Sequence, residues 1–392
     1  MSDNAIDYCI GFAKCGFSDR IAGLIFGHAL GDAVGLCTEY KEKKNITEIL
    51  YPYTESIRGV PINDWTDDTD LMIISMISLI DRCMTFEPND VARRFNYWIT
   101  HGLTICKDKT PTTPNGVFKH IVSNPKYVED PFGVATSSFM DAKGSLESNS
   151  PLSRISIMGV MPNSSNFTEN FCKITHVDSR CVASCVFTTR LINSLVYNWL
   201  LTGPRINEYV TGAMNDAKKY LDNKYVKEFE DVINQGYSEC IDTFRLDELA
   251  KMGKVFKCLM CVAYAAHIIK VALEHKKIPD FKKVIMKIAG EGGDADANAA
   301  LVGAIVGAFI GYKQLPQDWI AAMPHAAALN QFSAYFISQL FMPSNTEDNK
   351  AAADNIAVNT VNTVNTVNTV NTVNTVDVIE NADAHDILET TD

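Results

Sequence analysis

The sequence predicts an all-α fold, and three observations carry that prediction. Apolar residues recur at three- and four-residue spacing in several separate stretches; loops rich in Pro, Asn, Ser and Gly part those stretches; and runs of alternating polarity that would mark strands are hard to find. The expected architecture is a multi-helix bundle in one domain spanning residues 1–345.

The elements follow in order. Residues 18–36, "SDRIAGLIFGHALGDAVGL", begin with Ser-Asp, a helix-start pair, and run on with helical apolar spacing. Residues 70–84, 91–103, 180–201, 256–274 and 279–290 have the same character. Loops are expected at 107–116 and 141–153. The last clear element follows "GEGGDAD" and is strongly apolar. In it, Gly303, Gly307 and Gly311 recur every four residues, as Gly23, Gly27, Gly31 and Gly35 do in the first helix. A glycine costs a soluble helix about 1 kcal/mol relative to alanine, so seven of them imply close backbone approach. The two helices are expected to cross tightly, either against each other or against separate partners.

Composition bounds the function. The chain has 392 residues, of which 46% are hydrophobic and 21% charged, ordinary values for a soluble globular protein. Its N-terminal text, "MSDNAIDYCIGFAKCG", lacks a basic stretch followed by an apolar core, which predicts no secretory signal and a cytoplasmic protein. The most apolar run, residues 299–311, is too short to span a bilayer. Eleven scattered cysteines, including Cys258/Cys261 and Cys181/Cys185, lie in helix-like text without a matching Cys/His pair, and read as reduced thiols of a core.

Charge is uneven. From residue 346 onward nine acids meet one base, Lys350, so −8 of the total −12 lies there and the body is nearly neutral. Neither part has the basic footprint of a nucleic-acid binder. The same stretch holds an Asn-Thr-Val run from 359 to 376, whose period of three suits neither helix nor strand. Residues 346–392 are expected to form a disordered acidic tail.

Acids gather in three places, each read as a helix start: Asp32 with Glu39, two turns apart on one face if the helix runs that far, Asp67 with Asp68, and Asp294 with Asp296. Carboxylates favour helix N-termini, where they cap free N–H groups, and one per helix needs no further reason. "TDDTD" and "GGDAD" supply more than caps require. Gathered carboxylates repel one another unless a cation neutralises them, and hard cations such as Mg²⁺ or Mn²⁺ take oxygen ligands. Capping and metal binding both stay open at this point.

Together, "GHALGDAVGLCTEY", "DWTDDTD" and "GGDADANAALVGAIVGA" resemble the motifs of the ADP-ribosylglycohydrolase family, in the family's order across most of residues 1–312. "NSPLSR" at 149–154 is similar to its Asn-Gly and Met-Arg segment, and "THVDSRCVASC" at 175–185 to its Thr-His-x-Asp helix start. The resemblance implies an all-α fold with two Mg²⁺ or Mn²⁺ ions, and hydrolysis of the N- or O-glycosidic bond at the distal ribose of ADP-ribose. It implies Thr66, Asp67, Asp68, Asp294 and Asp296 as metal ligands and Glu39 as the catalytic carboxylate. Asp32, Asn149, Ser150, Arg154 and His176 are implied as substrate-binding or supporting residues, with Arg154 and backbone N–H groups meeting the diphosphate. The partner would be an ADP-ribosylated protein or an ADP-ribose derivative, and a monomer is expected. Two departures stand out. Ala295 and Ala297 replace the threonines of the late Asp-Thr-Asp-Thr motif, so one hydroxyl ligand is missing, a place that Asn298 or a water would fill. Ser150 and Ser153 replace the family's Gly and Met. An ADP-ribose-binding or structural protein without catalysis is the alternative reading.

Overall fold

The computed structural model describes residues 16–341, apart from 107–110, 112–113, 145, 163, 165–166, 199–200, 239–240, 242–243 and 250–254. The expected acidic tail and its Asn-Thr-Val run lie outside the described residues. Among the described residues there are fifteen α-helices and no strand, only isolated β-bridges such as Lys41 with Gly293.

The helices are α1 (Phe17–Gly35), α2 (Asp67–Asp81), α3 (Pro88–His101), α4 (Gly116–Val122), α5 (Pro131–Asp141), α6 (Ser150–Ser153), α7 (Thr168–Lys173) and α8 (Ser179–Tyr197). They continue with α9 (Gly203–Lys218), α10 (Val226–Ser238), α11 (Val255–His275), α12 (Phe281–Gly290), α13 (Ala295–Ile310), α14 (Gln317–Ala322) and α15 (Ala326–Leu340). The stretch at 141–153, expected to be loop, ends in the four-residue α6, started by Pro151 in its first turn.

The centre of the bundle is the pair α1 and α13. A Cβ built on Gly23, Gly27, Gly31 or Gly35 would lie 2.3, 2.2, 2.0 and 2.4 Å from the carbonyl oxygens of Gly307, Gly303, Ala299 and Ala295. The partner number falls by four as the first rises by four, so the helices run antiparallel and face each other through their glycine stripes. Of the two arrangements the sequence left open, the direct contact holds. Gly311 continues the contact from just past the helix: with φ +80° it ends α13 as its cap, and its carbonyl carbon lies 2.9 Å from a Cβ built on Gly23. Around this pair, α11 and α12 pack on α13, α8 lies against α9 and α11, and α2 against α3 and α15.

Among the described residues two helices, 17–38 with its short 3-10 extension and 255–275, are long and apolar enough to cross a membrane, which the apolar run at 299–311 is not. Their apolar windows are 94% and 67% buried within the bundle, as core helices are. Cys181, Cys185, Cys258 and Cys261 are buried free thiols.

Candidate active site

Three chain segments meet at the C-terminal end of α1. Asp32, on the last turns of α1, is fully buried. Its carboxylate accepts from four donors: Thr66 N at 3.1 Å, Thr66 Oγ1 at 2.7 Å, Thr69 N at 3.0 Å and Thr69 Oγ1 at 2.6 Å. A carboxylate from one helix therefore caps the start of another, α2, whose own N-cap residue Thr66 makes no side-chain cap bond. One turn into α2, Asp70 accepts from Trp65 Nε1 and Trp98 Nε1, each at 2.9 Å. The indoles fix the turn from below.

The entry to α13 is a turn that only glycine fits. Gly292 and Gly293 have φ +70° and +68°, and a Cβ on either would lie 2.3 Å from a carbonyl oxygen, of Lys41 and Leu246 respectively. Gly293 N donates to Lys41 O at 3.1 Å and Lys44 N to Gly290 O at 2.7 Å, which ties this turn to the segment after α1. Asp294 stands at the N-cap position of α13 without a side-chain cap bond. Elsewhere the chain does use carboxylate caps: Asp130, Asp178 and Asp280 each accept a backbone N–H at their helix starts. Asp294 is thus spared that duty.

The result is a nest of acids. Carboxylate oxygens of Asp32, Asp68 and Asp296 lie within 4.8 Å of one another, and so do those of Glu39, Asp294 and Asp296. Asp296 belongs to both groups, and Asp67 to neither. Burial raises the pKa of Asp32 to about 6 against the pull of its threonine donors. Burial, then the Asp294, Asp68 and Asp32 charges, hold Asp296 well above the usual carboxylate range. Asp67 and Asp68 are raised well above it, and Asp294 above it, again with burial as the largest cause. So many carboxyls gathered at such short range are unfavourable, and an all-oxygen donor set of this kind suits hard divalent cations. Asn298 adds a buried Oδ1 that no protein donor satisfies, one residue past the missing hydroxyl of Ala297.

Glu39 follows the 3-10 turn Leu36–Thr38 that ends α1, so the helix does not continue to it. Its carboxylate is buried and ion-paired with Arg58. The Arg58 guanidinium also lies 5.4 Å from the centre of the Tyr40 ring. Burial and the charges of Asp294, Asp296, Asp67 and Asp68 raise the Tyr40 hydroxyl, which places it in the field of the acids.

Several expected substrate contacts take other positions. Asn149 Nδ2 donates to Asp294 Oδ2 at 2.5 Å and so orients an acid. Arg154, expected to meet the diphosphate, is fully buried. It donates to Ser150 O at 2.8 Å and Thr175 Oγ1 at 2.5 Å, with its guanidinium over the rings of Phe95, Phe118 and Phe171. A planar, weakly hydrated cation can be housed by aromatic faces, and its charge still favours ionised Asp68. Ser150 serves as its acceptor. His176 is buried between Ser148 Oγ at 2.7 Å and Thr175 Oγ1 at 2.9 Å, and burial keeps it neutral. Asp32, likewise buried, holds the start of α2 and keeps a carboxylate oxygen within 4.8 Å of those of Asp68 and Asp296. Arg58 and Tyr40 were missed; nothing in their local pattern separates them from loop residues.

Residues 15–349 match the family model described as ADP-ribosylglycohydrolase. The chain belongs to that family. Relatives of the chain include "ADP-ribosylarginine hydrolase Tri1" of Serratia proteamaculans (strain 568), 24% identical over 84% of this chain and 81% of that one. Another is "ADP-ribosylhydrolase ARH3" of Mus musculus, 24% identical over 76% of this chain and 86% of that protein. A solved structure titled "ADP-ribosylglycohydrolase-related protein complex" superposes with a TM-score of 0.59 over 83% of this chain and 99% of that one, at 18% identity, which speaks for the fold. Membership of the ADP-ribosylglycohydrolases supports hydrolysis of ADP-ribose linkages.

Proposed function

We propose that the protein hydrolyses the glycosidic bond joining the distal ribose of ADP-ribose to a protein side chain or another acceptor, with two Mg²⁺ or Mn²⁺ ions in the acidic nest. The observation that carries this reading is Asp296, which belongs to two buried carboxylate groups at once. Asp32, Asp68 and Asp296 would face one ion, and Asp294 and Asp296 the other. Thr66 donates to Asp32, Asp67 feels the charges of Asp68 and Asp32, and Asn298 offers its unsatisfied oxygen. Such ions, when bound, neutralise the acids and polarise the oxygens they touch.

The chain's own residues supply the rest. Glu39 takes a proton from water and hands a proton to the departing acceptor atom. The C1–acceptor bond breaks, the water oxygen joins C1, and the acceptor leaves protonated. Asp32 holds the start of α2, and Asn149 holds Asp294, so that neither acid must be ordered during the reaction. Tyr40, 46% exposed, flanks the nest on the solvent side and gives the substrate an aromatic edge.

The test is incubation of the purified full chain with ADP-ribosylated peptides, with Mg²⁺ or Mn²⁺ and after chelation, reading released ADP-ribose by mass spectrometry. Release only with metal is expected. Full activity after exhaustive chelation would remove the metal from the reading, and no release from any substrate by metal-loaded protein would remove hydrolysis itself.

A further inference from the structure

Among the described residues, Arg154 is buried away from the Glu39 carboxylate, while Arg58 brings a guanidinium to it. Its Nη1 contacts the buried Glu39 carboxylate, its plane lies over Tyr40, and its side chain keeps 35% exposure. The segment is set by a tight turn: Ile57 bridges Val60, and Arg58 itself has φ +52°. This places a fixed positive charge beside the carboxylate that serves the breaking bond.

We propose that Arg58 is a specificity residue that makes the enzyme prefer acceptors joined through a neutral oxygen over acceptors joined through a guanidinium nitrogen. The inference rests on the hydrolase reading above and on Glu39 acting at the scissile bond. An arginine-linked acceptor brings a second delocalised cation to the atoms that Glu39 serves. Glu39 paired with Arg58 has its charge already matched, so it offers that cation no anionic edge. The two like charges also repel, in a partly screened setting. An oxygen-linked acceptor, such as a serine hydroxyl, meets neither penalty. In both cases the bond between C1 and the acceptor atom breaks, water oxygen joins C1, and the acceptor leaves with a proton. The difference lies only in the charge that must sit beside Arg58.

The experiment compares kcat/KM on two peptides of one sequence, one carrying ADP-ribose on a serine oxygen and one on an arginine guanidino nitrogen. Wild type, Arg58→Gln and Arg58→Lys are each loaded with Mg²⁺ or Mn²⁺. A preference of wild type for the serine peptide is expected. In Arg58→Gln the ratio should move toward the arginine peptide by about tenfold, roughly 1.4 kcal/mol, while Arg58→Lys keeps the wild-type preference. A ratio within one protein is insensitive to the fraction folded or metal-loaded, so a merely structural role would not move it. An unchanged ratio in Arg58→Gln, or a wild type that prefers the arginine peptide, overturns the proposal and leaves the hydrolase reading intact. Wild type inactive on both peptides overturns that reading, and this one with it.

Discussion

Replacing Gly35 by alanine should injure both the fold and the acidic nest. A Cβ there would lie 2.4 Å from Ala295 O, 2.5 Å from Asp296 Cα and 2.6 Å from Ala295 C, all backbone atoms, against 3.4 Å for ordinary contact. Relief requires α1 and α13 to part locally by about 1 Å, and overpacking of this kind costs about 1–3 kcal/mol. Alanine's helix propensity returns at most about 1 kcal/mol, and less at the last residue of a helix. A net loss of about 1–2 kcal/mol follows. The displaced atom is the Cα of Asp296, the residue common to both carboxylate groups. A misplacement of about 1 Å at a reacting centre can cost on the order of 100-fold in rate. The assay is urea unfolding of the chelated protein alongside metal titration and turnover. Gly212→Ala is the control, since a Cβ at Gly212 on α9 meets nothing within 4 Å; it should stabilise by up to about 1 kcal/mol. If Gly35→Ala stabilises as the control does, the argument from close helix approach is wrong.

Other perturbations act on the acids themselves. Asp296→Asn should abolish metal binding yet raise the melting temperature of the chelated protein, because it deletes a buried charge repelled by Asp294, Asp68 and Asp32; a chelated variant that melts lower would refute this. The chelated wild type should lose stability between pH 5 and pH 8. Carboxyls raised in the fold stabilise fully below the unfolded value of 3.8, and that contribution is lost as pH climbs through about 6 for Asp32, with Asp67, Asp68 and Asp296, also raised by burial, acting in the same direction. Added Mg²⁺ or Mn²⁺ should therefore raise the melting temperature more at pH 8 than at pH 5, and an equal rise at both would count against the site. Ala297→Thr returns a hydroxyl and should tighten metal binding by roughly tenfold, about 1.4 kcal/mol. Equal affinities in calorimetric titration would mean that Asn298 already serves.

The helices were legible because burial of one face writes a period of 3.6 into the sequence, and the glycine stripes were legible because glycine is otherwise a poor helix residue. The acids of the nest could be picked out for a related reason, since "TDDTD" and "GGDAD" hold more carboxylates than their helix starts can use. Roles depending on distant partners were not written locally. That Asp32 caps α2 depends on a residue 34 positions away, Thr66. Arg154 reads as a loop cation, and only the convergence of Phe95, Phe118 and Phe171 turns it into a core residue. Arg58 sits among ordinary turn residues, and its meaning comes wholly from Glu39 lying opposite it.

Asp70 has a practical consequence of its own. One carboxylate grips the indoles of Trp65 and Trp98, two of the chain's four tryptophans, and Trp65 immediately precedes Thr66 and Asp67. Indole emission depends on the field along the ring, and a charge change a residue or two away alters that field. The protein thus carries an optical reporter wired to the start of α2. Its ultraviolet emission should follow loading of the nest without dye or tag, with Trp98→Phe isolating the Trp65 signal from that of α3.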